Sequence, residues 1–340
     1  MNRVRLESPA LERSHTTHSD VYSLTRALDP VSPSAPRWAT ELAGGPATTS
    51  WLHFPSPRGS ATGSDSPSGC ATEIRTGAEI ALVTTRLESI GGHDRESLGT
   101  LLEAFILESL ETLATTAFPH PVRVWNFLPG ISDTVADGLD RYQVFNIARH
   151  RAFVRFFGHS AVVAGRIPTA SCVGHSGNAL VTCTLGAASP GVPIENPLQV
   201  PAFAYSTKFG PKPPCFARAA LTRLGSRRLL LVAGTASIRG EDSTHPRSLP
   251  DQLAETVSNL RAVVAQGRAA AGLPSTVADG PLTGVTAARV YYRNPDDLPP
   301  IKRGLPPELA NVADVEFVRA DICREELLVE IEIVVDVDRV

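Results

Sequence analysis

From residue 78 onward the chain switches repeatedly between two hydrophobic periods, the signature of strands alternating with helices. "AEIALVTTRL" (Ala78 to Leu87) is β-branched and apolar, and predicts a strand. In "RESLGTLLEAFILESLETLATTA" (Arg95 to Ala117), Leu98, Leu101, Leu102, Phe105, Ile106 and Leu110 fall on one side of an amphipathic helix. A strand over Pro121 to Leu128 completes a strand, helix, strand unit, and a helix from about Asp137 to Phe157 follows. Strands are then expected near Thr169 to Val173, Ala179 to Leu185, Phe216 to Leu221 and Arg228 to Ala233. A helix over Asp251 to Ala271 comes next, then strands over Ala287 to Tyr292, near Ala313 to Val318, and at the C-terminus. Strands outnumber helices, and each half has a long helix able to cover a sheet. The pattern therefore predicts an α+β protein of two similarly built sheet-and-helix layers.

Residues 1 to 75 lack this order. "DPVSPSAPRWATELAGG" and "FPSPRGSATGSDSPSG" are crowded with Ser, Thr, Pro and Gly, which reads as a loop-rich, partly irregular segment with short strands around Trp38 and Trp51. The first half then spans residues 76–190 and the second 191–340, the join falling in a proline-rich connection from Pro190 to Pro214.

The terminal strand poses a specific question. In "CREELLVEIEIVVDVDRV" the odd positions Leu327, Val329, Ile331, Ile333 and Val335 form one oily face. The other face carries Leu328, Glu330, Glu332, Val334 and Asp336. Pattern alone favours a solvated outer face for the two glutamates. The alternative is a carboxylic acid that works as a proton donor.

Composition narrows the class. The 340 residues are 42% hydrophobic and 20% charged, with a formal net charge of −3, values of a globular chain without an electrostatic footprint for nucleic acid or an anionic membrane. Any anionic ligand must be met by a few local cations. Cys70, Cys172, Cys183, Cys215 and Cys323 are widely spaced with no C-x-x-C pair, so neither a disulfide framework nor a zinc site is expected, and a reducing cytoplasm fits. The first thirty residues show no apolar run behind a basic start, and no stretch reaches the roughly 18 apolar residues of a membrane span. The expected protein is soluble and cytoplasmic, without metal or cofactor.

Three stretches carry candidate chemistry. In "LDRYQVFNIARHRAF", Tyr142 and Arg149 share one helical face with Phe145 between them, although an arginine that reaches solvent would give the same spacing. "ENPLQVPAFAYSTKFGPKPPCFARA" is a long proline-rich connection that again pairs an aromatic hydroxyl, Tyr205, with a guanidinium, Arg218. Long ordered loops of this kind either build a site or wrap a surface. "LLLVAGTASIRGEDSTHP" runs a buried strand into Gly234, Thr235, Ala236 and Ser237, small residues that let a ligand approach the backbone. His245 has no partner at catalytic spacing and reads as a loop histidine. P-loop, G-x-G-x-x-G, H-E-x-x-H, EF-hand and G-x-S-x-G motifs are absent, and "GHSG" (Gly174 to Gly177) reads as a short turn.

Taken together, "VWNFLPGI", "RYQVFNIARHRAF", the Glu195 to Ala219 stretch, "GTASIRG", "QLAETVSNL" and "ADICREELLVEIE" resemble the chorismatases, enzymes of secondary metabolism that remove pyruvate from chorismate. The likeness covers about residues 120 to 335, in order. It implies two halves similar to the RidA/YjgF fold with the active site between them. It also implies that Tyr142, Arg149, Tyr205 and Arg218 meet the substrate's two carboxylates and that Glu330 is the catalytic acid. Chorismate carries an enol ether whose cleavage begins with protonation of the terminal methylene. A glutamate can do this at neutral pH if an oily pocket raises its pKa. The cations must then pair with substrate rather than with Glu330.

The resemblance also singles out Ala236 and Cys323 as the pocket positions that set the ring product. Trapping of the oxocarbenium ion by water gives a dihydroxycyclohexadiene carboxylate. Attack by a neighbouring ring group followed by aromatisation gives 3-hydroxybenzoate, and a further group of the family makes 4-hydroxybenzoate. Alanine at 236 looks like the hydrolytic type and cysteine at 323 like the aromatising type. Because a thiol can assist proton movement while alanine only shapes the wall, 3-hydroxybenzoate is the expected product. The chain departs from the family at Glu241, where histidine is common after the glycine of "GTASIRG". Cys323 and Glu330 are seven apart and of opposite strand parity, so a turn or bulge near Arg324 to Glu326 must intervene if both line the pocket. Two rival readings are a RidA-like binding or imine-handling protein without this activity, and a non-catalytic subunit that docks through its first 75 residues. Two RidA-like halves in one chain can satisfy internally the interface that a single-domain relative buries by trimerising, which points to a monomer with a trimer as the alternative.

Overall fold

The computed structural model describes residues 64–65, 69–77, 79–135, 138–274, 280–312 and 315–339. The first half contains β1 (Ser64–Asp65), β2 (Ala71–Thr76), β3 (Ile80–Leu87), α1 (Arg95–Ala114), β4 (His120–Pro129), α2 (Arg141–Phe157), α3 (His159–Val163), β5 (Thr169–His175) and β6 (Leu180–Ala187). The second contains β7 (Val192–Ile194), β8 (Ala219–Leu224), β9 (Arg227–Ala236), the small hairpin β10 (Ile238–Arg239) and β11 (Asp242–Ser243), and α4 (Leu249–Ala270). It continues with β12 (Val285–Tyr292), α5 (Leu298–Gly304), α6 (Pro307–Ala310), β13 (Val315–Arg319) and β14 (Val329–Asp336).

Each half builds one six-stranded sheet, in the orders β1-β2-β3-β6-β4-β5 and β13-β12-β14-β9-β8-β7. The connectivity repeats. A hairpin (β2 and β3, or β8 and β9) leads to a long helix and a strand (β4 or β12). A helical connection then reaches a parallel neighbour (β5 or β13), and the last strand returns between hairpin and middle strand. The two halves are thus copies of one α+β pattern, as the periodicity predicts.

Burial explains the layering. Helices α1 and α2 cover one face of the first sheet through Leu98, Leu102, Phe105, Phe145 and Phe153. Helix α4 covers one face of the second, its Leu253, Val257, Leu260 and Val263 packing on Ile331, Ile333 and Val335 of β14. The remaining faces meet through Trp125, Phe127, Val181, Leu229, Leu231, Tyr291 and Val334. The order is helices, sheet, sheet, helix, so the even face of β14 looks into the seam between halves and not into water. Glu330 is 5% exposed and Glu332 0%, which overturns the solvated-face reading. Period two reports which residues share a face; only the second sheet decides what that face meets.

Other differences are local. Helix α2 starts at Arg141, because Asp140 caps it and forms a capping box with Gln143. The strand expected from Phe216 begins at Ala219, after Ala217 has donated its N–H to Pro168 O of the other half (3.2 Å). Strand β2 lies inside the segment expected to be irregular and pairs along β3, so the first sheet starts before residue 76. Its six residues (ATEIRT) are too few for periodicity to stand out from the Ser/Gly/Pro run beside them. The strands expected around Trp38 and Trp51 lie outside the described residues. No helix among the described residues is long and apolar enough to cross a membrane, and none of the five cysteines is in a disulfide.

Candidate active site

Strand β5 is the outer strand of the first sheet, and its free edge is bridged to the second half at both ends. Ala217 closes one end, and reciprocal hydrogen bonds between Gly174 and Asp321 close the other (2.6 and 3.1 Å). Between these bridges a cavity of ≈ 880 Å³, counted out to its open mouth, wraps around Ala170 to Cys172. All seven residues singled out from the sequence line it: Tyr142, Arg149, Tyr205, Arg218, Ala236, Cys323 and Glu330.

The two guanidiniums are buried, and among the described residues neither has a carboxylate at ion-pair distance, although Glu195 lies near Arg218 and accepts from its backbone N–H (3.4 Å). Arg149, 2% exposed, donates from Nη2 to Asn146 Oδ1 (2.8 Å) and lies over the rings of Phe145 and Phe216. Arg218, 7% exposed, donates from Nη2 to Tyr205 Oη (2.7 Å) and Val200 O (3.1 Å) and lies against the rings of Tyr205 and the same Phe216. Among the described residues neither forms an ion pair, and each leaves a buried Nε without a partner. Two such cations in one cavity can hold an anionic ligand, since an isolated buried charge is costly until something pairs with it. Tyr142 lies beside them on α2, and burial pushes its hydroxyl well above the ordinary 10.

Glu330 is the reverse case. Its side chain makes no hydrogen bond among the described residues, and its pKa is pushed up to about 8, first by burial and then by the neighbouring charge of Glu332, against opposing pulls from Arg123 and Arg218. At neutral pH it is therefore mostly the acid, facing a cavity with room for a ligand. Glu332, two residues on, is held from both halves. Arg123 of β4 ion-pairs with it, Ser171 Oγ of β5 and Tyr291 Oη of β12 each donate to it (2.8 Å), and Arg289 Nη1 stands 3.8 Å away.

Local irregularities aim these groups. Strand β9 bulges opposite Glu332, where Ala233 and Gly234 occupy the space of one partner between the Ile331 and Ile333 registers. The bulge turns the Gly234 N–H to Ser171 Oγ (2.8 Å), and the missing Cβ leaves room for the Glu330 carboxyl lying against it. Ala236 pairs with Glu330 in the same ladder. The turn required by parity is present, with Leu327 N–H bonded to Arg324 O (3.2 Å), so Cys323 and Glu330 reach one cavity from opposite parities. Burial, then Glu330, pushes the Cys323 thiol up to about 12, so it is a neutral S–H at physiological pH.

Several lining residues carried no sequence signal. Ser171 and Cys172 come from the middle of a uniformly buried strand, and Phe216 sits in a motif that drew notice for Tyr205 and Arg218. Arg324 packs over Phe209 at 3.8 Å and donates to Glu241 O (2.9 Å) and Ser243 Oγ (3.0 Å). Glu241, the departure from the family, accepts from Ser206 N–H (2.8 Å) and Oγ (2.6 Å), and so ties down the loop that presents Tyr205. His245 and the "GHSG" turn stay out of the cavity; His175 bonds within its own turn, to Ala179 O (2.9 Å) and Gly177 N–H (3.0 Å).

Comparison with known proteins agrees with this geometry. A family model described as "Chorismatase FkbO/Hyg5-like, N-terminal" matches residues 65–186. The chain is 34% identical over 232 residues to a 3-hydroxybenzoate synthase of Streptomyces hygroscopicus, an alignment covering 66% of this chain and 66% of that protein, just under two thirds of its length. It is 33% identical over 218 residues to a chorismatase of Streptomyces hygroscopicus, covering 63% and 61% of the two chains. A chorismatase crystal structure superposes with a TM-score of 0.68 at 27% identity, covering 80% of this chain and 78% of that one.

Proposed function

Because the chain belongs to the chorismatase family, we propose that it cleaves the enol ether of chorismate and releases pyruvate, with Glu330 as the proton donor. The observation that carries the reading is the pairing of a buried, unbonded carboxylic acid with two buried guanidiniums that lack a carboxylate at ion-pair distance among the described residues, all in one cavity. The dianionic substrate supplies the two missing counter-charges. Arg149 takes one carboxylate with Tyr142 beside it, and Arg218 takes the other with Tyr205. So anchored, the enol ether lies against the Glu330 face of the cavity.

Glu330 gives its proton to the terminal methylene, which becomes a methyl group and leaves an oxocarbenium carbon next to the ether oxygen. Capture by a neighbouring ring group, in place of water, lets one ring oxygen depart with pyruvate. The ring then loses one C–H proton and becomes aromatic, returning the proton that Glu330 spent. No water is consumed on this route, whereas the hydrolytic route adds one and keeps both ring oxygens. We assign 3-hydroxybenzoate as the product. Supporting it are the neutral thiol of Cys323 in the cavity wall, able to relay a proton during aromatisation, and the likeness to a relative named 3-hydroxybenzoate synthase. The seam between the sheets is buried within a single chain, which supports a monomer, and none of the five cysteines is in a disulfide, which supports a reducing cytoplasm.

Incubation with chorismate and chromatographic separation of the products is the test. Pyruvate and 3-hydroxybenzoate in equal amounts are expected, and Glu330→Gln should lower the rate by about 10² to 10⁴-fold. The dihydroxycyclohexadiene carboxylate as sole product refutes the product assignment, and an undiminished Glu330→Gln rate refutes the role of Glu330.

A further inference from the structure

Glu330 and Glu332 share one face of β14, and their surroundings could hardly differ more. Glu332 is fully buried and takes donors from β4, β5 and β12, an arrangement that solvates an anion without water. Glu330 receives none. We propose that Glu332 is a positioning residue for the reaction: its clamped carboxylate holds the neighbouring donor Glu330 in its acid form. The inference rests on the reading of Glu330 as proton donor.

The geometry supplies the cause. Two like charges on one buried strand face cannot both ionise freely, and donors gathered around one of them favour a charge there over its neighbour. Glu332 is the second largest cause of the raised Glu330 pKa, after burial. Arg123 of β4 and Arg218 before β8 pull toward ionisation, but Arg123 is spent on Glu332, Ser171 and Val124 O, and Arg218 on Tyr205 and Val200 O until substrate arrives. Tyr142 on α2, Cys172 on β5 and Cys323 in the turn are neutral, each with a proton held far more tightly than usual by burial. Arg149 on α2 is the further cation of the same cavity, and Arg289 with Tyr291 on β12 stands behind Glu332. Strand β9 presents only Gly234 and Ala236.

A clamp built from both halves has a second consequence. The sheets cannot slide apart without unmaking the Arg123 and Ser171 contacts to Glu332, so the acid form of Glu330 is coupled to correct docking of the halves.

The test is the pH profile of kcat/KM with chorismate, together with a ¹³C NMR titration of the Glu330 carboxyl in the full chain. In Glu332→Gln the alkaline limb and the titration should both move down by about one pH unit, the size expected for a neighbouring charge at an effective dielectric near 20. Glu332→Asp, which keeps the charge, should restore both. Should Glu332→Gln fold poorly, Tyr291→Phe, which removes one neutral donor from the clamp, should move both down by a smaller amount. An unmoved limb and titration in a folded Glu332→Gln protein, with only thermal stability reduced, overturns the proposal and leaves Glu332 a structural tie. The NMR arm needs no turnover, so a protein inert toward chorismate would count against the proposed function while the titration still decides the coupling.

Discussion

Replacing Arg149 with methionine separates a binding cation from a structural one, because the two roles predict opposite changes in stability. The guanidinium is 2% exposed, makes one side-chain hydrogen bond, and has no carboxylate partner among the described residues. Burying such an ion costs several kcal/mol, taken here as ~4. The bond to Asn146 returns about 2 and the two aromatic faces together about 1. Methionine is therefore expected to stabilise the empty protein by ~1 kcal/mol, raising Tm by about 2–4 °C. Function should move the other way. A substrate carboxylate left without its cation loses about 3–5 kcal/mol, or ~10² to 10³-fold or more in kcat/KM. Differential scanning calorimetry and steady-state pyruvate release read the two quantities, and the rise in Tm that a bound dianion gives the wild type should vanish in the variant. A lower Tm with near-normal kcat/KM would show that Arg149 serves the fold and refute the anion-site argument.

Two further outcomes follow from the geometry of Glu330. Gly234→Ala places a Cβ where the Glu330 carboxyl now lies, while the backbone at 234 needs no left-handed φ, so the chain should fold and lose about 10²-fold in rate through a displaced acid. Normal turnover in a crystallographically verified Gly234→Ala protein would sink that placement. Stability should also depend on pH in a defined window. The Glu330 pKa rises from 4.5 to about 8 on folding, so the folded state holds the proton more tightly; this contribution is full below about pH 4.5 and is lost as pH climbs through 8. Urea denaturation should therefore show the gap between wild type and Glu330→Gln changing across pH 4.5 to 8, and a constant gap would contradict the raised pKa.

Much of the site was legible before any fold was known. Tyr142 and Arg149 share a helical face by spacing alone, and a proline-rich connection of that length needed a reason, which Tyr205 and Arg218 now give at the cavity wall. The glutamates of β14 were the residues pattern alone misjudged. Alternation placed both on one face, yet an outer face and an inter-sheet face look identical in one dimension. Alternation likewise cannot tell Glu330 from Glu332, because the difference lies in donors to Glu332 that stand 161 to 209 residues away, Ser171 and Arg123. Cys172, Ser171 and Phe216 stayed invisible for the same reason.

What the sequence by itself determined was local and periodic: the order of strands and helices, the oily and carboxylate faces of β14, and the absence of a charge large enough to bind a polyanion. What only the tertiary structure decided was which of two adjacent carboxylates is surrounded by donors and which is left without them, and which guanidiniums stay unpaired. Those properties depend on desolvation and on charges brought within a few ångströms by packing one sheet upon the other. Sequence distance carries no record of that packing.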